Sequence, residues 1–330
     1  MKKPSNSNKK KIINKSTLDT LDKRYNILGG LGGGHSSKVY KVLDTVTKKK
    51  KAVKIFEDDS ISEFRTEESI LKKINEYNIN SIIKFYEAGF GHLTIDGNTQ
   101  EKYYIVLEYA RKGNLLKKLE KTSNGFSEDV CKYIFYKILK IVKALHEKGI
   151  CHRDLKPENI LLFGANYDFK LCDFGFSYCF LDDNQNKKKS KDPFGTDYYR
   201  APEVYENKLY DPEKVDIFSI GALLFGLMTK KQAFDKAQTL EFAQNEVQKL
   251  YNLIKEKQID TYWFIVENIF NIKNLSKEFK ELFIKLVSYN PSERPSFEEI
   301  MNSDWMKEIK GANEEHLNNL KDKMKSEMET

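Results

Sequence analysis

The chain has 330 residues, 40% apolar and 32% charged, enough for one large domain or two smaller ones with a real core. The 56 basic and 49 acidic residues leave +7 at neutral pH, much of it in the first 24 residues and in Lys187 to Lys191. No Arg-rich helix or stacking motif accompanies these lysines, which argues against nucleic acid as a partner. The longest apolar run, Ile220 to Met228, is too short for a bilayer span, so no membrane is expected. No apolar stretch follows the N-terminal lysines and residue 2 is Lys, so neither a secretory leader nor a myristoyl site is expected. Cys131, Cys151, Cys172 and Cys179 lack C-x-x-C spacing and read as reduced thiols of a cytoplasmic or nuclear protein.

In chain order, residues 1–23 are polar and Lys/Asn-rich and are expected to be a disordered basic tail. Short β-type runs begin at Tyr25: Y-N-I-L, S-K-V-Y-K-V-L-D, K-K-K-A-V-K-I-F, I-I-K-F-Y-E-A-G and Y-Y-I-V-L-E-Y. An amphipathic helix over about 61–75 interrupts them, its apolar stripe being Phe64, Ile70, Leu71 and Ile74. Residues 88–102 read as a long loop in which D-G-N-T marks a hairpin turn. Past Gly113 the spacing turns helical, with Val130, Ile134, Ile138, Ile141, Val142 and Leu145 in register until Gly149. Further helices are predicted near 215–229, 239–257 and 276–288. Strands followed by helices predict an α+β chain in two lobes, 24–108 and 109–308. The charged tail, 309–330, is expected to form at most a lone surface helix.

Three stretches carry chemistry. Gly32, Gly33 and Gly34 lie between two β-type runs, where glycines let backbone N–H groups approach a ligand, commonly phosphate. Alone the pattern describes an ordinary hairpin equally well, and without G-K-[S/T] it is not a P-loop. Lys54 lies in the A-V-K strand, and Glu67 falls on the apolar stripe of the following helix. An acid on a buried stripe needs a cation, and Lys54 is a plausible one. The third stretch is C-H-R-D-L-K-P-E-N-I-L-L-F, 151–163, followed by K-L-C-D-F-G-F-S, 170–177. Asp154, Asn159 and Asp173 would bring oxygen ligands of the kind Mg²⁺ takes toward one point.

Gly-rich loop, A-V-K, helix Glu, H-R-D-L-K-P-E-N, D-F-G, A-P-E, D-I-F-S-I-G and the late Arg of N-P-S-E-R-P-S appear in one order. From about Tyr25 to Trp305 the chain resembles eukaryotic-type protein kinases of the Ser/Thr branch. In look it is closest to the calcium/calmodulin-dependent-type group. The resemblance implies a two-lobed fold, a small antiparallel-sheet lobe with one helix and a larger mainly helical lobe. It implies transfer of the ATP γ-phosphoryl group to Ser/Thr hydroxyls of protein substrates, with Mg²⁺, or Mn²⁺ as a substitute. By resemblance Lys54 holds the α- and β-phosphates, steadied by Glu67. Asp154 accepts the substrate proton, Lys156 stabilises the γ-phosphoryl, and Asn159 and Asp173 hold the metal. Val39, Ala52 and Leu161 sandwich adenine against the backbone of Leu107, Glu108 and Ala110. Leu31, Gly32, Gly34 and Asn114 complete the nucleotide site. Glu203 should pair with Arg294, Asp216 should hold the catalytic loop, and Leu71, Phe85, His152 and Phe174 should stack. A pseudokinase scaffold is the alternative, although Lys54, Asp154 and Asp173 are all retained.

The chain departs from the pattern at Ser36 and Ser37, where an aromatic and a glycine are usual, and at Phe218, where Trp is usual. Cys172 reads as a small hydrophobe beside Asp173. Glu158 stands where basophilic relatives read an Arg, but Asn114 and Gly226 fill places where strong basophiles carry acids, so selectivity for basic substrates should be weak. Acids among Met306, Lys307, Lys321, Lys323, Met324 and Lys325 argue against a calmodulin target. The oligomeric state is not legible. In many relatives a phosphothreonine three residues before the loop glycine docks on the Arg of H-R-D. Here that position is Asp192, three before Gly195, with Arg153 to receive it. Asp192 is therefore either a partial stand-in for the phosphate, giving basal activity, or an ordinary solvated acid. Ser190 is a nearby regulatory candidate, and Thr196 reads as a substrate-binding residue.

Overall fold

The computed structural model describes residues 19–182, 184–206, 208–234 and 246–329. They form two compact units: residues up to Ile61 with Tyr86–Tyr109, and Ser62–Phe85 with the chain from Ala110 onward. The helix that sequence order places in the first lobe thus shares its contacts with the second unit.

The first unit is a barrel of β1 (Thr20–Leu21), β2 (Tyr25–Gly33), β3 (Ser37–Asp44), β4 (Lys50–Phe56), β5 (Phe85–Ile95) and β6 (Asn98–Glu108). The order around it is β1-β2-β3-β4-β6-β5, closed because β1 pairs antiparallel with both β2 and β5. Inward alternation gives a core of Leu21, Tyr25, Val42, Val53, Ile55, Leu93, Tyr104 and Val106. Closure corrects the expectation of disorder through residue 23. Leu21 is buried, and Asp22 exchanges bonds with His92, its N–H to the His92 carbonyl at 2.9 Å and its carboxylate to the His92 N–H at 2.7 Å. A Cβ at Gly91 would stand 2.2 Å from that carboxylate, so a side chain there would displace Asp22 from its bond. Residues 1–18 of the expected tail lie outside the described residues.

The stretch 88–102 is a pair of long strands and not a loop. Asp96 and Gly97, both at positive φ (49° and 80°), make the two-residue turn that D-G-N-T signalled. At the other end of the barrel Asp44, fully buried, takes Lys51 at 2.9 Å, the Thr47 hydroxyl at 2.8 Å and Arg24 at 3.4 Å. Arg24 also forks onto Glu87 at 3.1 and 3.0 Å, and the Tyr25 hydroxyl donates to Glu87 at 2.7 Å. Burial opposes the charge on Asp44, but Lys51, Thr47, Arg24 and the Val46 N–H outweigh it and hold the carboxyl well below its usual range.

The second unit contains α1 (Ile61–Glu76), α2 (Leu115–Leu119), α3 (Glu128–His146), α4 (Pro202–Tyr205), α5 (Pro212–Thr229), α6 (Glu246–Lys255), α7 (Ile259–Asn268), α8 (Lys277–Leu286), α9 (Phe297–Met301), α10 (Lys307–Lys310) and α11 (Glu314–Glu329). Four short strands make two ladders, β7 (Ile150–Cys151) with β10 (Tyr178–Cys179), and β8 (Ile160–Phe163) with β9 (Asp168–Leu171). The predicted stripe of α1 is buried as read, Glu67 included. Helix α5 is apolar on all sides and almost wholly buried, capped by Asp211 with Pro212 in its first turn. Phe218 is fully buried against Phe234 and Tyr251. Of the helix predicted over 239–257, residues 239–245 lie outside the described residues. Helix α7 was not predicted: its run of Tyr, Trp, Phe, Ile and Val reads equally as strand.

The C-terminal tail is also corrected: α11 packs on α3 and α2 and is not a lone surface helix. Leu320, Met324 and Met328, four residues apart, are buried. The Glu327 carboxylate takes both the N–H and the hydroxyl of Ser127, the N-cap residue of α3. Lys118 donates to the Met328 carbonyl at 3.1 Å, and the Tyr167 hydroxyl donates to Glu329 at 3.1 Å.

Two outcomes follow. Asp44 is depressed in the fold, so its contribution is complete above the unfolded carboxylate value and is lost as pH falls through the folded one. Acid unfolding from about pH 5 downward should therefore lose slope in Asp44→Asn. At neutral pH that variant strands a buried Lys51 and should lose about 3–5 kcal/mol in urea titration; an unchanged midpoint would refute the pairing. Glu327→Ala should lose about 1 kcal/mol through the lost cap, read in the same titration.

Candidate active site

The catalytic stretch runs from β7 through a loop to β8, and its geometry is fixed from beneath by α5. Asp216, fully buried, accepts the backbone N–H of His152 at 2.8 Å and of Arg153 at 2.7 Å. His146, from the last turn of α3, contacts the same carboxylate at 2.8 Å. Burial opposes ionisation of Asp216, but the bonds from His146 and the loop N–H prevail and hold it low. Arg153 can then sit at φ 65°, an unfavourable conformation for a long side chain.

Above this base, Asp154 is almost wholly buried. One of its oxygens, Oδ1, accepts from the Thr196 N–H at 3.0 Å and hydroxyl at 2.7 Å. The other, Oδ2, takes Lys156 Nζ at 2.7 Å and Asn159 Nδ2 at 3.2 Å. Lys156 also reaches the Thr196 hydroxyl at 2.8 Å. The Asn159 amide nitrogen is further spent on the Asp154 carbonyl at 2.8 Å, which leaves its oxygen as the ligand atom. His152 is buried, stacked edge-on with Phe174 at 5.0 Å, and reaches the Cys172 carbonyl at 3.0 Å. Leu71 and Phe85 are buried as expected of that stack. Asp173 sits at φ 67° at the turn into Phe174 and Gly175. Asp173 Oδ1 and Glu67 Oε2 lie 3.7 and 3.8 Å from where a Cβ on Gly175 would stand, so both acids face the same turn.

The remaining predicted residues lie as follows. Leu31 and Gly32 end β2 and Gly34 begins the turn, where its N–H reaches the Ser37 carbonyl at 2.9 Å. Val39 is on β3, and Ala52 and Lys54 are buried on β4. Leu107 and Glu108 close β6, paired with Ala52 and Lys51, and Ala110 opens the second unit. Asn114 caps α2 through the Lys117 N–H at 3.0 Å and bridges backbone-to-backbone with Leu161. Lys54 and Glu67 belong to different units.

In the activation segment, Arg153 Nη1 donates to Asp192 at 2.9 Å, to the Ser190 hydroxyl at 2.8 Å and to the Tyr210 hydroxyl at 3.3 Å. Its face lies over Tyr178 and Phe194, and Phe194 stacks on Phe176 at 4.9 Å. Burial opposes the charge of Asp192, but Arg153 and Ser190 hold its carboxyl below the usual range. Asp192 is thus bonded to Arg153 and Ser190 while remaining partly open to solvent. Glu203 and Arg294 form the expected fork, at 2.6 and 2.7 Å. Three contributors were not foreseen. His146 could have been found from its place at the end of an apolar helix. Tyr210, whose hydroxyl donates to the Asp192 carbonyl at 2.7 Å, precedes the D-I-F-S-I-G helix. Arg200, just before A-P-E, grips the Gly195 carbonyl.

The family model described as protein kinase domain matches residues 25–306. CBL-interacting serine/threonine-protein kinase 12 of Arabidopsis thaliana is 33% identical over 292 residues, 86% of this chain and 53% of the relative. The SNF-related serine/threonine-protein kinase of Homo sapiens is 30% identical over 291 residues, 86% of this chain and 34% of the relative. Testis-specific serine/threonine-protein kinase 1 of Mus musculus is 31% identical over 294 residues, 87% and 73%. The chain spans about half the length of the first of these and a third of the second. With the catalytic loop, its buried Asp216 support and the Glu203–Arg294 fork in place, this chain belongs to the protein kinase family.

Proposed function

We propose that the protein is a Ser/Thr protein kinase that transfers the γ-phosphoryl group of ATP to hydroxyls of protein substrates. The observation that carries this is the convergence of Lys156, Asn159 and Thr196 on the single carboxylate Asp154. A substrate hydroxyl entering where the Thr196 hydroxyl now donates would give its proton to Asp154 Oδ1 and be held for in-line attack. Lys156, bonded to the same carboxylate, follows the charge developing on the transferred group. Lys156 two residues after Asp154 supports the Ser/Thr branch.

Asn159 and Asp173 fit Mg²⁺, since the amide nitrogen is already engaged and the donors left are hard oxygens. When bound, the ion neutralises phosphate charge. Lys54, paired with Glu67, would grip the α- and β-phosphates. The backbone of Leu107, Glu108 and Ala110 would read adenine, with Leu31, Gly32, Gly34, Val39, Ala52, Asn114 and Leu161 around the nucleotide. Asp192 keeps Arg153 engaged without loop phosphorylation, giving basal activity. It carries one charge where a phosphate would bring about two, so the replacement is partial. The cytoplasm is the compartment we infer from four cysteines of which none is in a disulfide.

The full chain made in a bacterial host should phosphorylate a mixed protein substrate with Mg-ATP, on Ser and Thr by mass spectrometry. Asp154→Asn should lose roughly 10²–10⁴-fold. Nucleotide binding without turnover in both proteins would support a scaffold instead. Asp192→Ala should lower activity roughly tenfold, the scale of a charged hydrogen bond. If its rate and Mg-ATP affinity match the parent, Asp192 plays no such part.

A further inference from the structure

We propose that Lys188, Lys189 and Lys191 form a recognition rim for acidic residues flanking the acceptor hydroxyl, so that the kinase prefers Asp/Glu-rich protein segments; this rests on the phosphotransfer reading above.

The lysine run is anchored and does not float. Lys187 bridges Leu181, the Lys188 N–H reaches the Phe180 carbonyl at 2.6 Å, and the Tyr178 hydroxyl reaches the Lys189 carbonyl at 3.3 Å. Ser190, between the lysines, is buried and exchanges backbone bonds with Tyr210 at 3.1 and 2.8 Å. The lysine side chains on either side of it are exposed.

Little of their charge is neutralised by direct ion pairs: Asp182 acts on Lys188 and Asp192 on Lys191 only at longer range. From Lys187 to Arg200 the segment carries five cations and two carboxylates. Asp192 is taken by Arg153, and Asp197 by Arg200 and the Tyr205 hydroxyl. Glu213 takes Lys187. Among the described residues, no carboxylate comes within 4 Å of the other three ammoniums. Three positive charges carried on an anchored backbone attract anionic partners.

The rim is also close to the chemistry. Lys191 precedes Thr196 by five residues, a span of at most about 17 Å of extended chain, and Thr196 touches Asp154. A substrate with its hydroxyl at Asp154 would bring residues up to about five positions away within reach. Glu158 opposes acids on its own side: its Oε2 is buried with no hydrogen-bond partner among the described residues. The acid preference is therefore confined to substrate positions that run along the activation segment.

The test uses the full chain, Mg-ATP and serine peptides of one length flanked by Glu, Ala or Lys. A fluorescent Glu-flanked peptide is titrated in parallel by anisotropy. The Glu-flanked peptide should show kcat/KM roughly five- to tenfold above the Ala-flanked one, carried in KM and shrinking in 0.5 M salt. K188A/K189A/K191A should erase that ratio and the anisotropy change, and the triple Lys→Arg variant should keep both. Equal rates on Glu- and Ala-flanked peptides, or a ratio that survives the triple Ala variant, would overturn the rim while leaving the kinase reading intact. If neither the peptides nor the mixed protein substrate is phosphorylated, the kinase reading fails. The anisotropy then decides the rim alone: acidic-peptide binding lost in the triple Ala variant upholds it, and absence of binding ends it.

Discussion

The proposed catalytic apparatus rests on one buried carboxylate. Asp216 has no exposed surface, and a lone charge there would be very costly. It is tolerable because two loop N–H groups and His146 satisfy it. The dependence is mutual. Arg153 keeps an unfavourable left-handed backbone because its N–H has that acceptor, and the turn this creates sets Asp154 beside Lys156 and Thr196. Helix α5 can present Asp216 at a fixed height because its apolar surface is buried on nearly every side.

The same logic recurs at two other buried charges. Asp44 carries Lys51 and Arg24, and Arg294, itself buried, carries Glu203. Asp192 is half-exposed and differs in kind. Its bond to Arg153 ties this segment to the residue next to Asp154, the proposed proton acceptor. Arg153 distributes one nitrogen over Ser190, Asp192 and Tyr210, and a phosphate on Ser190 would compete with Asp192 for it.

Much of this was legible in the sequence because local pattern and tertiary role coincide. The stripe Phe64, Glu67, Ile70, Leu71, Ile74 is readable from spacing and is the buried face. D-G at 96–97 signals a two-residue turn, although the strands reach farther toward it than their apolar content suggested, since polar Asn98 to Glu101 still complete the ladder. The misses have a common cause. Leu21, His146 and Tyr210 matter through partners 72, 70 and 57 residues away, and no local window contains those partners. Thr20–Leu21 reads as tail because two residues carry no periodicity; only the open edge between β2 and β5 makes a strand of them.

The trailing helix shows how far such remoteness extends. By composition α11 is a charged helix with four spaced apolar residues, of which three are buried, too few to hold it on burial alone. It docks because its last turn supplies what the second unit lacks. Glu327 caps α3, whose own N-cap residue, Ser127, makes no side-chain cap. Met328 and Glu329 meet Lys118 and Tyr167, on α2 and on the turn joining β8 to β9. Those two elements flank the Asn114–Leu161 bridge, and β8 follows Asn159 directly. A segment more than 150 residues downstream thus steadies the strand on which the catalytic loop ends, through contacts that composition alone would assign to solvent.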